Sequence, residues 1–508
     1  MDTILILDFG SQVTQLIARR IRSFNVHAEI APYNVGIDRI DKPEIKGVIL
    51  SGGPASVFGE NAALPDKQIF ELGKPILGIC YGIQVLAHML GGAVARGVKR
   101  EYGATSIKRK AKSEKLFGET PKEQTVWMSH FDIVSKPPVG FSSLAASVIS
   151  PFAAIADPKR NFYGVQFHLE VSHTPYGTQI LKNFALKICK AKQEWTPRHL
   201  ITDAIEKIWR EVGSRSVVHA LSGCVDSTVL AILLKKSNVK VKNIFVDNGL
   251  LRLNEAAQVM AYLKKLGLEV ERIDASKQFL DSLREITDPE QKRKIIGRVF
   301  IEILMANVGK DDMLSQGTLY PDVIESTKVH GPSDKIKTHH NRAPEVLELM
   351  RTGRVIEPFK ELFKDEVRAI GTELELPDEI VWRHPFPGPG LAIGILGDVT
   401  EERLDMLRQA DEIFMEEIKK AKLYRKISEA FAALDTSRAV GVKGDEREYG
   451  YMILLRAITT DDFMTADWYP FSHDFLACVA NRIINEVEGV TRVLYDITQK
   501  PPGTIRYI

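Results

Sequence analysis

Cysteine is scarce in this chain, and neither sign of charge prevails. The four cysteines among 508 residues, Cys80, Cys189, Cys224 and Cys478, are widely spaced. They form neither a metal-like pair nor a disulfide framework, which points to a reducing cytosol. Lys and Arg number 68 against 66 Asp and Glu, a net charge of +2. That balance argues against a nucleic-acid binder working by bulk charge. Long uncharged apolar runs are missing too. Asp8 ends the run Ile4-Leu5-Ile6-Leu7, and no basic segment precedes it, so it reads as a buried strand rather than a signal peptide. Residues 137–156 carry no charge, yet Gly140, Ser142, Ser143, Ser147, Ser150 and Pro151 make them too polar and broken to span a bilayer. No internal repeat or low-complexity tract occurs. The expectation is a cytoplasmic protein with no nucleic-acid or membrane partner.

What is present is alternation. Strand-like runs at 4–7, 47–50 and 75–79 interleave with helical patterns at 11–23 and 84–90, which predicts a parallel sheet covered by helices. A polar stretch, Lys190–Arg198, reads as a linker. A second unit of the same kind follows, with strands at 216–221, 243–246 and 269–273 and helices at 227–236 and 254–266. The proline-rich Arg383–Gly390 marks another boundary. A helix at 401–420 and strands at 439–442, 451–458 and 492–497 complete the chain. At this length two to four domains are expected.

Two chemical signatures stand out. Gly78-Ile79-Cys80-Tyr81-Gly82 follows an apolar strand and reads as a nucleophile elbow, with the thiol at a helix N-terminus that lowers its pKa. In Gly164-Val165-Gln166-Phe167-His168-Leu169-Glu170, His168 and Glu170 lie two apart on one strand face, so the carboxylate can orient an imidazole that deprotonates Cys80. Ser222-Gly223-Cys224-Val225-Asp226-Ser227 follows another strand and reads as a phosphate-cradling loop without a Walker lysine. Backbone N–H groups and the Ser222 and Ser227 hydroxyls would hold a pyrophosphate, and Asp226 would help hold Mg²⁺. A thiol that breaks an acyl bond beside a nucleotide loop suggests that ammonia freed at the first site is consumed at the second.

Residues 1–190 resemble a class I glutamine amidotransferase. Ser51-Gly52-Gly53-Pro54-Ala55-Ser56-Val57 is similar to that family's oxyanion segment, which implies oxyanion N–H groups at Gly53 and Tyr81. Gln84, Ser129, His130 and Asp132 match its glutamine-holding positions. The second loop resembles that of the N-type ATP pyrophosphatases. The segments 245–252, 316–326, 336–341, 357–368, 383–391 and 500–502 are similar to the GMP synthetase family, end to end. The resemblance implies an amidotransferase domain (1–190), a doubly wound α/β ATP pyrophosphatase domain of the adenine nucleotide alpha hydrolase kind (197–383) and a small α+β domain for dimerisation and XMP binding (384–508). By that resemblance Ser222–Ser227, Val246, Gly317, Asp322 and Glu325 hold ATP. Lys337, His339, His340, Asn341, Lys360, Lys364 and Asp365 serve adenylylation, and Asp226 holds Mg²⁺. Arg383, Pro385, Gly388, Glu429, Arg492, Lys500 and Ile505 face XMP. The charged stretch 288–302 resembles a lid that excludes water.

The chain departs from the family at several positions. Cys224 replaces a loop glycine, Gly394 an arginine and Glu429 a glutamine, and Arg506-Tyr507-Ile508 stand where Glu-Trp-Glu is usual. Glu429 would add negative charge beside an anionic substrate. Three functions therefore stay open at this point: glutamine-dependent amination of XMP, amination of another nucleotide, and nucleotide sensing with weakened synthetase activity.

Overall fold

The computed structural model describes residues 1–59, 62–110, 115–326, 344–386, 388–443, 445–460, 463 and 465–507. They gather into two compact units, one of residues 1–200 and one from 201 onward. Among the described residues no helix is long and apolar enough to cross a membrane.

In the first unit β1 (Thr3–Asp8), β2 (His27–Pro32), β3 (Ile45–Leu50), β4 (Ile76–Ile79), β5 (Ala93–Arg109), β6 (Glu123–Lys136), β7 (Ser142–Ala146), β8 (Ala154–Asp157) and β9 (Phe162–Val165) form one sheet. Its order is β2-β1-β3-β4-β9-β8-β7-β5-β6. The strands from β2 to β9 in that order pair in parallel, as the alternation predicts. The remaining pairs are antiparallel, so the sheet is mixed. Burial explains the difference. β1 is buried almost throughout, as a strand covered on both faces must be, whereas β6 alternates exposed with buried residues over Glu123–His130. Helix α1 (Thr14–Arg22) follows β1. Helix α2 (Tyr81–Met89) follows β4 and is buried from Tyr81 to Ala87.

In the second unit β10 (Ser216–Ala220), β11 (Lys240–Asp247), β12 (Val270–Asp274), β13 (Met313–Ser315) and β14 (Val355–Ile356) make a parallel sheet in the order β12-β11-β10-β13-β14. The order reverses at β10 and β13, where open α/β sheets place their ligand crevice. Helices α3 (Val225–Lys236), α4 (Glu255–Lys265), α5 (Pro289–Met305) and α6 (Lys364–Glu373) belong to this layer. A further sheet comprises β15 (Ile395–Leu396), β16 (Glu429–Lys443), β17 (Glu446–Thr459), β18 (Asp467–Trp468) and β19 (Val490–Tyr495), with α7 (Glu401–Lys420) and α8 (His473–Glu486). One apolar core joins both layers, from Ile244 and Leu314 to Phe414 and Ile453.

Helix α5 corrects the lid expectation. Ile296, Val299, Ile301 and Leu304 are buried in that common core. Lys292, fully buried, donates through Nζ to the carbonyls of Ala392, Ile395 and Gly397 at 3.2, 2.7 and 2.6 Å. Charge alone suggested a free surface helix, but its apolar stripe and this buried ammonium fasten it.

Candidate active sites

The turn from β4 into α2 is sterically dictated. A Cβ on Gly82 would stand 2.2 Å from the Leu50 carbonyl oxygen, and one on Gly78 would stand 2.5 Å from the Gly82 carbonyl carbon. Between them Cys80 adopts φ 52° and ψ −102°, a strained conformation for a side chain with a Cβ. Its backbone N–H donates to the Val165 carbonyl at 2.8 Å, tying the elbow to β9. The thiol is buried, lies against the first turn of α2 and points its S–H toward the Ser129 carbonyl at 3.6 Å.

His168 is fixed at three atoms. Its N–H donates to Trp127 O at 2.9 Å, its carbonyl accepts the Thr174 hydroxyl at 2.5 Å, and its Nδ1 lies 2.7 Å from Glu170 Oε1. Burial by itself lowers the His168 pKa. The Glu170 charge and hydrogen bonds to Cys80 and Glu170 outweigh it and hold the imidazole well above its ordinary range. Thiol, imidazole and carboxylate thus form a connected triad. Gly53 is required nearby, since a Cβ there would meet the Phe9 carbonyl oxygen at 2.7 Å. Tyr81, first residue of α2, is anchored by its phenol on Ala63 O at 2.9 Å.

The expected glutamine-holding residues meet on β6. Gln84 Nε2 donates to Asp132 O at 2.8 Å, and Asp132 Oδ2 accepts from Ser56 at 2.6 Å. The His130 ring lies 3.0 Å from Glu101, and both side chains are buried. Nothing in the spacing pointed to Glu101. It becomes the partner of His130 only through the β5–β6 register.

In the second unit the phosphate loop closes over α3. Gly223 has φ +77°, and a Cβ there would stand 2.7 Å from Val259. Ser222 Oγ lies 3.2 Å from Ser227 Oγ. The Cys224 sulfur sits among these groups, 2.9 Å from Ser222 Oγ and 3.5 Å from Ser227 Oγ. Val225 is buried at the start of α3. Asp226 Oδ2 pairs with Lys364, while its buried Oδ1 has no hydrogen-bond partner among the described residues. A single unspent carboxylate oxygen suits Mg²⁺, which keeps several waters and takes its other ligands from phosphates. Gly317 abuts Asp226, and Val246 is the last residue but one of β11. Asp322 accepts from Leu319 N at 2.9 Å, and Lys360 and Asp365 are exposed. Lys337, His339, His340 and Asn341 lie outside the described residues, as does the side chain of Glu325. His219 was missed by sequence reasoning. Its ring spans Ser315 Oγ at 2.8 Å and Ser227 O at 2.9 Å, and burial lowers its pKa to about 4.

The acceptor side shows a compensation. Glu429, at the start of β16, accepts from Arg506 Nε at 2.7 Å, and both side chains are largely buried. The two charges therefore neutralise each other within the pair. Arg456 fastens the tail by donating to Ile505 O at 2.6 Å and Thr504 O at 2.8 Å. Gly394 packs so that a Cβ would stand 3.2 Å from the end of the Leu407 side chain, a tight contact that a larger residue would have to push aside. Lys500 donates to Phe463 O at 2.7 Å, and Arg492 approaches Val440 O at 3.5 Å. Pro385 is half-buried and Gly388 exposed. Arg383 does not extend into open space. It donates to the Gly223 carbonyl at 2.9 Å and pairs with Glu255.

Comparison with known proteins agrees with this geometry. Residues 5–188 match the class I glutamine amidotransferase family and residues 416–507 the GMP synthase C-terminal domain family. The chain is 52% identical to a glutamine-hydrolysing GMP synthase of Phaeosphaeria nodorum, over 99% of this chain and 97% of that one. It is 50% identical to one of Chlorobium limicola over the whole of both chains. To one of Saccharomyces cerevisiae it is 51% identical, over 100% of this chain and 98% of the other. With an elbow thiol triad in one unit, a phosphate loop in the other and relatives similar throughout, the chain belongs to the glutamine-hydrolysing GMP synthase family.

Proposed function

We propose that this chain makes GMP from XMP, with ATP cleaved to AMP and pyrophosphate and the nitrogen taken from glutamine. One observation carries the reading: the Cys80–His168–Glu170 triad and the Ser222–Ser227 loop occur in a chain similar over its full length to glutamine-hydrolysing GMP synthases.

At the first site His168 takes the Cys80 proton and the sulfur attacks the glutamine amide carbon. The N–H groups of Gly53 and Tyr81 receive the oxyanion. His168 returns the proton to the departing ammonia, and water then hydrolyses the thioester to glutamate. Gln84, Ser129, His130 and Asp132 hold the substrate. At the second site the 2-oxygen of XMP attacks the α-phosphorus of ATP, pyrophosphate leaves, and ammonia displaces AMP from C2. Ser222, Ser227 and the loop amides cradle the phosphates, and Val246, Gly317, Asp322 and Glu325 complete the ATP pocket. Lys364 and Lys360 offset phosphate charge, with Lys337, His339, His340, Asn341 and Asp365 beside them. Asp226 would hold Mg²⁺, which when bound would neutralise charge on the departing pyrophosphate. Arg383, Pro385, Gly388, Glu429, Arg492, Lys500 and Ile505 frame XMP.

We read residues 1–190, 197–383 and 384–508 as the amidotransferase, ATP pyrophosphatase and acceptor domains of a cytoplasmic homodimer. A reducing cytoplasm suits a catalytic thiol, and all four cysteines are free. Exposed Val440, Val442 and Tyr449 on β16 and β17 suit a second copy.

The test is AMP formation from XMP, ATP and either glutamine or ammonium. Cys80→Ala should abolish the glutamine-driven reaction and leave the ammonium-driven one within about twofold of wild type, as expected when only the nucleophile is removed. Absence of AMP with both nitrogen sources in the wild type would refute the reading.

A further inference from the structure

We propose that Glu255 is a positioning residue that couples the pyrophosphate loop to the acceptor pocket, so that each nucleotide strengthens binding of the other. The inference rests on the two pockets assigned above and adds a connection between them.

Glu255 is the first residue of α4 and only 4% exposed. Both of its carboxylate oxygens are spent, and on different elements. Oε1 pairs with Arg383, and Oε2 accepts the backbone N–H of Arg252 at 2.8 Å. Each partner reaches a different pocket. Arg383 passes its other terminal nitrogen to the Gly223 carbonyl at 2.9 Å. That carbonyl belongs to the 223–224 peptide, whose N–H lies on the opposite side of the same rigid plane. Holding the carbonyl therefore aims the Cys224 N–H toward the Ser222 side of the loop, where it lies 3.5 Å from Ser222 Oγ. A phosphate cradle depends on that aim.

Arg252 faces the acceptor pocket. Its Nε lies 2.9 Å from Asp411, its Nη2 donates to Ala430 O at 3.1 Å, and its guanidinium lies over the Phe386 ring at 5.0 Å. Asp411 in turn accepts the Ala432 N–H at 2.9 Å. Ala430 and Ala432 flank Phe431 on β16, immediately after Glu429 with its Arg506 partner. A nucleotide seated against Phe386 and Glu429 bears on Arg252, and a triphosphate in the loop bears on Arg383. The same buried carboxylate holds both. A buried carboxylate paired at both oxygens transmits such displacements because losing either partner leaves its charge uncompensated in a low-dielectric setting.

The experiment is calorimetric titration of the full-length chain with XMP, alone and with saturating α,β-methylene-ATP and Mg²⁺. In the wild type the analogue should tighten XMP binding by about fivefold or more, the lower end of ordinary coupling. In Glu255→Gln, which keeps the shape and removes the charge, the factor should fall to within about twofold of unity while both ligands still bind. A merely structural role would lower the melting temperature and leave that ratio alone. Should the glutamine variant unfold, Glu255→Asp takes its place, since its shorter side chain cannot reach both partners. A wild-type factor of one, or an unchanged factor in the folded variant, overturns the proposal. Failure of the wild type to bind XMP or the analogue would instead overturn the assignment of the pockets.

Discussion

Cys80, His168 and Glu170 depend on one another for position and charge, and the dependence has a sign in pH. The folded imidazole has a raised pKa because Glu170 and Cys80 outweigh its burial. Such a group stabilises the fold in full below its unfolded pKa, near 6.5, and loses that contribution as pH rises through the folded value. Glu170→Gln should therefore cost about 3 kcal/mol at pH 6, as loss of a buried partner does. The cost should shrink steadily toward alkaline pH in urea unfolding, and a penalty independent of pH would show that the pair is uncharged. Cys80 was legible because the elbow is local, and His168 with Glu170 because they stand two apart. Those two nonetheless lie beyond the end of β9 at Val165, His168 in an isolated bridge to Trp127, and not on a strand as expected. Glu101, His219 and Glu255 were not legible. Each acquires its role from a partner at least 25 positions away or from another strand.

Among the elements, α5 shows how charge misleads. Its many charged residues suggested a mobile cover, yet its apolar stripe and Lys292 bind it into the core. Burial lowers the Lys292 pKa to about 8, so it is an ammonium at neutral pH and serves three carbonyls. Lys292→Met keeps the apolar stem and orphans those carbonyls. We predict a loss of about 2–4 kcal/mol in urea unfolding, with ammonium-driven AMP formation reduced in proportion to the unfolded fraction. A neutral effect would mean that the carbonyls find other donors. The first sheet carries a similar lesson. Its parallel half follows from continuous apolar strands, whereas the antiparallel half arises from half-buried ribbons whose pairing partners no local pattern names.

At the scale of the molecule, the β16–β17 hairpin leaves three large apolar side chains exposed. Val440, Val442 and Tyr449 are 43%, 70% and 60% exposed, and Val440 is the cross-strand partner of Tyr449. A charge placed among them would be desolvated without a partner if a second copy covers the patch. Val442→Asp should therefore shift the chain from dimer to monomer in sedimentation velocity, with the melting temperature of the monomer otherwise retained. A wild-type chain that sediments as a monomer would remove the patch from any self-association. The compensating pair Glu429–Arg506 belongs to this scale as well, since it joins the first residue of β16 to the C-terminal tail.

By itself the sequence determined the two chemistries, the order of the α/β layers and the residues at each elbow and loop. These depend on steric and periodic rules acting over a few residues, as at Gly78, Gly82 and Gly223. Only the tertiary structure decided that Arg383 reaches the phosphate loop, that Arg506 neutralises Glu429 and that α5 is fastened. Those outcomes turn on which buried charges meet across long stretches of chain, where desolvation makes an unpaired group too costly to leave alone.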